Sequence, residues 1–330
     1  MDTRFKTPVE IRPFPFSIDY SQDMLLMGSC FAGLLGERLS RLKFKALCNP
    51  LGILFDPLSL GESLSRMASG PMFARSDIEC VGDICFSFQA HGSLSASSPE
   101  ACLAQLNTAL EEARTCLQRA SLLVVTMGTS GVFRHKTSGR VVANCHKLPP
   151  TLFVREWLTP QEVQSALERA ISEVRMVNPD IEVLLTVSPV RHLKDGAHQN
   201  HLSKAVLLLA VDALCRSLPR VHYFPAYEVL LDELRDYRYY GQDMVHPSDL
   251  AADWIWDRFV ESCMNHETKA VMKEVEGLVL AREHRQLHPW SEAARVFMHH
   301  QGLKAVALSE RYPFLNLQAE LQHFGVVTGD

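Results

Sequence analysis

No stretch of this sequence is apolar for long enough to cross a bilayer. The longest unbroken aliphatic run, Ala205 to Val211, falls far short of the roughly 20 residues a spanning helix needs. No apolar h-region follows Met1-Asp2-Thr3-Arg4-Phe5-Lys6, so a secretory leader is not expected and the reading is cytoplasmic, with no membrane partner. A basic stripe is also lacking: 33 Lys and Arg stand against 38 Asp and Glu, a formal net charge of -5, which argues against broad nucleic-acid binding. None of the nine cysteines forms a C-x-x-C pair, so neither a zinc site nor any other metal is expected. Their odd number and apolar settings read as reduced core thiols in a reducing compartment. Internal repeats and low-complexity linkers are absent.

What is there is an ordinary globular composition, with 47% apolar and 22% charged residues over a 330-residue chain, enough for a sizeable core. The chain is organised around Met24-Leu25-Leu26-Met27-Gly28-Ser29-Cys30-Phe31-Ala32, an apolar run that stops at Gly28-Ser29 and passes into a helical pattern at Leu34, Leu35, Leu39 and Leu42. That is a strand, a sharp turn and a helix. The same unit recurs. Phe44 to Cys48 reads as a strand ending at Asn49-Pro50-Leu51-Gly52, and Ser121 to Met127 as a buried strand ending at Gly128-Thr129-Ser130. Ile181 to Val187 ends at Ser188-Pro189-Val190-Arg191-His192, and Val221 to Phe224 is a short final strand. Helices are expected from Pro57 to about Met67, from Pro99 to Arg119, from Pro160 to about Val177, from His198 to Ser217 and onward from about Pro247. Turn chemistry at Gly82-Asp83 and at Lys136-Thr137-Ser138-Gly139 predicts two hairpin insertions. Strands alternating with long helices imply a parallel α/β sheet covered on both faces. The expected division is one α/β domain over 1–285, with its N-terminal 23 residues an extended arm, and a helical C-terminal extension over 286–330. Trp290, Val296, Phe297 and Leu303 in that extension would serve either to cover a cleft or to mediate assembly.

In such sheets ligands bind beyond the carboxyl ends of the strands, the edge that here collects Ser29, Asn49 to Gly52, Gly128 to Ser130 and Ser188 to His192. Asp243-Met244-Val245-His246 adds a carboxylate three residues before a histidine, a spacing at which one turn brings both to one side. With Ser29 they make a candidate triad: His246 as general base and acid, Asp243 as its orienting partner, Ser29 as nucleophile. Cys30, at a helix N-terminus, is the rival nucleophile. Asn49, His91, Asn144, His146, Lys147, Arg191 and His192 are candidates for substrate contact. For His91, His192 and the 144–147 cluster, structural bracing is the alternative; for Arg191 it is pairing with Asp195.

Taken together these segments resemble the GSCFA family. Gly28-Ser29-Cys30-Phe31-Ala32 is its signature, and Asn49-Pro50-Leu51-Gly52-Ile53-Leu54, Thr126 to Thr129, Val142 to Pro149, Thr186 to His192 and Asp236 to Ser248 follow in order, covering about residues 8–262. The resemblance extends to the SGNH/GDSL hydrolases and implies a three-layer, flavodoxin-like sheet, a serine nucleophile at Ser29, an oxyanion glycine at Gly52 and the Asp243–His246 pair. It further implies a cofactor-free esterase acting on a small-molecule or carbohydrate ester; an acyltransferase or a non-catalytic binding module shares the same scaffold. One departure stands out: the third SGNH block supplies an asparagine to the oxyanion hole, whereas this chain has Gly128-Thr129-Ser130 there. Thr129 is the expected replacement beside Ser29 and Gly52, with Asn144 and Asn49 as alternatives.

Overall fold

The computed structural model describes residues 7–326; residues 1–6 of the expected arm and 327–330 of the expected extension lie outside the described residues. The chain opens with β1 (Asp23–Gly28), α1 (Cys30–Arg41), β2 (Lys45–Cys48) and α2 (Pro57–Ala68). A hairpin of β3 (Glu79–Val81) and β4 (Ile84–Phe86) precedes α3 (Pro99–Arg119) and β5 (Ala120–Met127). Then come β6 (Gly131–His135), β7 (Val141–Val142), β8 (Phe153–Trp157), α4 (Pro160–Val177), β9 (Glu182–Val187) and α5 (Ala197–Ser217). The last strand is β10 (Val221–Phe224), followed by the single turn α6 (Ala226–Glu228), α7 (Asp249–Cys263), α8 (His266–Glu283), α9 (Glu292–Arg311) and α10 (Gln318–His323).

Five strands pair in parallel in the order β10-β9-β5-β1-β2. Numbered by their own succession this is 2-1-3-4-5 read from the β2 edge, the flavodoxin-like order, which has a switch point beside the first strand. The central strands are apolar on both faces because both are covered. Leu25 and Met27 pack with α2, α3, α4 and α5 in one core. Met24 and Leu26 face a second core built from α1, α7 and α8. The helices start where local chemistry predicts: Asp56 caps α2 ahead of Pro57, Ser98 caps α3 ahead of Pro99, and Thr159 with Glu162 forms a capping box on α4.

Two expectations are revised. The second insertion is a three-stranded antiparallel sheet, β7-β6-β8, not a hairpin; Phe153–Trp157 returns to pair with β6 along its whole length, a long-range pairing without a local turn signal. Cys80 and Cys85 face each other in the β3–β4 register and are disulfide-bonded, so the cysteines are not all reduced thiols, and thiol content no longer supports a reducing compartment. The helix expected near Pro247 is present, beginning at Asp249 with Ser248 as its cap.

Among the described residues no helix is long and apolar enough to cross a membrane. The C-terminal helices pack at the amino-terminal edge of the sheet. Glu320, fully buried on α10, pairs with Lys43 before β2 (2.8 Å) and with Arg282 (2.7 Å). Phe314 stacks near Tyr20, which precedes β1. That is the end of the sheet opposite Ser29. Trp290, Val296 and Leu303 stay exposed.

Candidate active site

The strand-end edge is built from the β1–α1 turn outward. Gly28 sits at φ +142, and its N–H donates to Asn49 Oδ1 (2.8 Å). Ser29 is the N-cap of α1: its Oγ accepts from the Phe31 N–H (3.3 Å), while its own N–H donates to the Thr126 carbonyl of β5 (3.0 Å). Ser29 is 4% exposed, whereas its neighbour Cys30 is open to solvent.

Asp243 and His246 come together. Asp243 Oδ2 lies 2.6 Å from His246 Nδ1. Because a carboxylate only accepts, Nδ1 carries the proton and Nε2 is left as a base. The other oxygen, Oδ1, accepts from the Val245 N–H (2.9 Å) and the His246 N–H (3.0 Å), an arrangement that fixes the turn around Met244 at φ +56. These bonds from the imidazole and the two backbone N–H groups hold the Asp243 carboxyl down at about 2, so it is ionised at any ordinary pH. Both side chains are about half exposed. Arg191 docks this loop on the end of β9: its N–H donates to Val245 O (3.1 Å), its Nη1 donates to Met244 O (3.1 Å), and its guanidinium lies 5.1 Å from the centre of the Tyr240 ring. Among the described residues no hydrogen bond joins Ser29 to His246.

Each of the three groups expected to hold an oxyanion is already engaged. The Ser29 N–H is bound to Thr126, and the Gly52 N–H donates to Asn49 O (2.8 Å) in a turn with Gly52 at φ +78. Thr129 is fully buried; its Oγ1 accepts from the Gly131 N–H (3.0 Å) and bonds Ser203 Oγ (2.9 Å). The Thr129 expectation is therefore corrected: the residue braces the loop from inside, with no part open to a substrate.

The remaining candidates divide. His146 is a brace: its Nε2–H donates to Ser87 O (2.9 Å), its ring stacks on Phe86 at 4.1 Å, its N–H is held by Asn144 Oδ1 (2.7 Å), and burial lowers its pKa. His91 bonds Ser93 through Nδ1 (3.1 Å) and packs directly on Gly52, where a Cβ would lie 2.3 Å from its own. Lys147 is exposed at φ +57. Asp195 pairs with Arg155 (2.9 Å), not with Arg191, and the Arg155 guanidinium lies over the Phe133 and Trp157 rings at 4.4 and 4.8 Å. His192 reaches back over β5, its Nε2 lying 2.9 Å from where a Cβ of Gly128 would be, with Phe55 alongside at 5.6 Å between ring centres.

Sequence reading missed the first turns of α5. Asn200 Oδ1 accepts from the His192 N–H (2.8 Å), Ser203 Oγ accepts from the Ser130 N–H (2.7 Å), and Lys204 Nζ donates to Gly128 O and Ser188 O, each at 2.7 Å. One helix face thus ties the β5 loop to the β9 loop. The available signal was the spacing i, i+3, i+4 of three polar residues on a helix leading out of a strand-end loop. Lys204 is 1% exposed, and desolvation lowers its pKa to about 7. A neutral amine still supplies two N–H donors for the two carbonyls. Because the folded pKa lies below the unfolded value, the unfolded chain binds more protons between about pH 7 and the ordinary lysine range, so this group's contribution to stability rises with pH across that window. Lys204→Met, which leaves two buried carbonyls unpaired, is expected to cost about 2–4 kcal/mol. Urea unfolding should show that difference widening from pH 6.5 to 9; a gap below about 0.5 kcal/mol, or one flat with pH, would show that Lys204 does not act this way.

These features define a doubly wound α/β protein with a histidine–aspartate pair on a loop docked at the carboxyl edge of its sheet. The chain belongs to the GSCFA family, whose model matches residues 23–259, and the model described as the GSCFA domain protein, C-terminal domain, matches residues 275–325. No curated protein matches the sequence. Among solved structures the chain is similar to a family two carbohydrate esterase from Clostridium thermocellum, solved in complex with cellohexaose, at 12% identity and a TM-score of 0.37. That alignment covers 74% of this chain and 64% of the esterase chain, a likeness too slight to carry an argument.

Proposed function

We propose that this protein is an SGNH-type serine hydrolase that removes small acyl groups, of the O-acetyl kind, from a carbohydrate or other small-molecule ester. The observation that carries the reading is the 2.6 Å Asp243–His246 bond, which fixes the tautomer with Nε2 as base, on a loop docked at the strand-end edge that also bears Ser29. Only β5 separates β9, where the loop docks, from β1, so the strand axes are roughly 10 Å apart, a span that side chains from the two flanks can bridge.

In this mechanism His246 Nε2 takes the Ser29 proton as Oγ adds to the ester carbonyl carbon, and the carbonyl electron pair moves onto oxygen. Collapse breaks the bond to the alcohol oxygen, which leaves with the proton from His246, and an acyl group remains on Ser29. Water, deprotonated by the same nitrogen, releases the carboxylic acid and restores the serine. Asp243 stays ionised throughout and stabilises the imidazolium. The chemistry uses only side chains and backbone and calls on no cofactor.

A second reading has its own observation: Cys30 is exposed where Ser29 is nearly covered, so the thiol is the more accessible of the two nucleophiles. A fluorophosphonate probe applied to the intact protein, to Ser29→Ala and to Cys30→Ala, with the modified peptide located by mass spectrometry, separates the two. Labelling lost only in Ser29→Ala supports the serine. Labelling absent from the folded wild type sinks it.

A further inference from the structure

Resting on the reading of Ser29 as nucleophile, we infer that the oxyanion formed during acyl transfer is held by two side chains, the amide Nδ2 of Asn49 and the imidazole N–H of His192. The two backbone N–H groups a GSCFA/SGNH resemblance would offer are bonded to Thr126 and Asn49 carbonyls, and the Thr129 hydroxyl is closed inside the β5 loop. Donors must come from elsewhere.

Ser29 follows β1, and its neighbours in the sheet are β2 on one side and β5 on the other. Asn49 is the first residue after β2, with its N–H on Leu26 O (2.8 Å) and its Oδ1 on the Gly28 N–H (2.8 Å). That second bond orients the amide. Its oxygen is committed to the residue before Ser29, so its nitrogen is presented on the other side of the same planar group, with no partner among the described residues. Asn49 also holds a positive φ, +48, a conformation that asparagine and aspartate tolerate better than other side chains.

His192 arrives from the opposite flank. Its backbone is pinned by Asn200 and its ring leans on Phe55, with Nε2 over Gly128, where any side chain would crowd the imidazole. Neither ring nitrogen bonds another described residue, and the ring is only half-buried, so it opens onto the rim. The groups acting on it are Lys204, Arg155, Asp195 and His246. Burial first, then the cations Lys204 and Arg155, bring its pKa down to about 4, with Asp195 opposing. A histidine held neutral is a single N–H donor, able to polarise a carbonyl without competing with His246 for the serine proton.

The test is the rate at which a fluorophosphonate modifies Ser29, since the phosphoryl oxygen occupies the same site, together with kcat and KM for p-nitrophenyl acetate. Asn49→Asp keeps the oxygen that accepts from Gly28 and the tolerance of positive φ while removing the NH2 donor. His192→Phe keeps a ring against Phe55 without a donor, and His192→Gln restores one. Loss of a single oxyanion donor is worth about a hundredfold or more in kcat. Each of Asn49→Asp and His192→Phe is expected to show that loss with KM within about threefold and an unchanged melting temperature, and His192→Gln to recover most of it. Rates within about threefold of wild type for both, in a protein where Ser29→Ala is dead, overturn the proposal and leave the serine mechanism standing. A loss confined to one residue overturns the role of the other. If Ser29→Ala labels and turns over like wild type, the serine reading itself falls, and this inference with it.

Discussion

Replacing Ser29 with alanine is expected to lower turnover of an activated ester by about 10⁴-fold or more, His246→Ala to cost a similar factor, and the double variant little beyond either single one. The non-additivity is the informative part. If the hydroxyl is nucleophilic only while Nε2 of His246 takes its proton, removing either partner removes the same step. Asp243→Asn is expected to retain the turn, because its side-chain oxygen still accepts from the Val245 and His246 N–H groups, yet to lose about 10⁴ through the tautomer it no longer enforces. Steady-state rates of the purified variants decide this. Independent, multiplicative losses would mean that Ser29 and His246 do not act on one proton, and full activity in Ser29→Ala would move attention to Cys30.

The second large effect is on the fold itself. Gly28→Ala places a Cβ 2.1 Å from the Thr126 carbonyl oxygen, at a φ of +142 that side-chain-bearing residues avoid. The neighbour is backbone of the central strand β5, paired with Gly28 in register, and cannot swing aside. Either β1 and β5 part, or the turn that carries Ser29 is rebuilt. A loss of about 4 kcal/mol or more is expected, read as lower soluble yield and an earlier urea midpoint. A variant within about 1 kcal/mol of wild type would show that the turn has another conformation open to it. The same crowding explains why the residue before Ser29 is glycine: β1 must approach β5 closely at the point where the chain turns into α1.

Much of the architecture was legible in the residues. Runs such as Leu122 to Val125, apolar at every position within a buried strand, point to strands covered on both faces, and each is followed by glycine and small polar residues where the chain must turn. Helix starts were legible because capping is local: Asp56-Pro57, Ser98-Pro99 and Thr159-Pro160 carry their own signals. The Asp243–His246 pair was legible for the same reason, since three residues of spacing and one turn suffice to bring the groups together. The strand Phe153–Trp157 was not, because its partner β6 lies some twenty residues earlier and nothing local announces the pairing. The Cys80–Cys85 bond went unread because it depends on the register of a hairpin and not on cysteine spacing alone.

By itself, then, the sequence determined the alternation of strand and helix, the strand-end loops and the dyad, all matters of local chemistry and period. Only the tertiary structure decided which hydrogen-bonding groups are free. The Thr129 hydroxyl, legible as a donor, is closed off by Ser203 and Gly131, while Lys204, an unremarked cation on a helix, is buried between two strand-end carbonyls. Asn49 and His192 are brought to either side of the Ser29 turn because β2 and β5 flank β1 and the β9 loop reaches over Gly128. A residue's type states what bonds it can make; whether a neighbour has already taken them is settled only when distant segments pack.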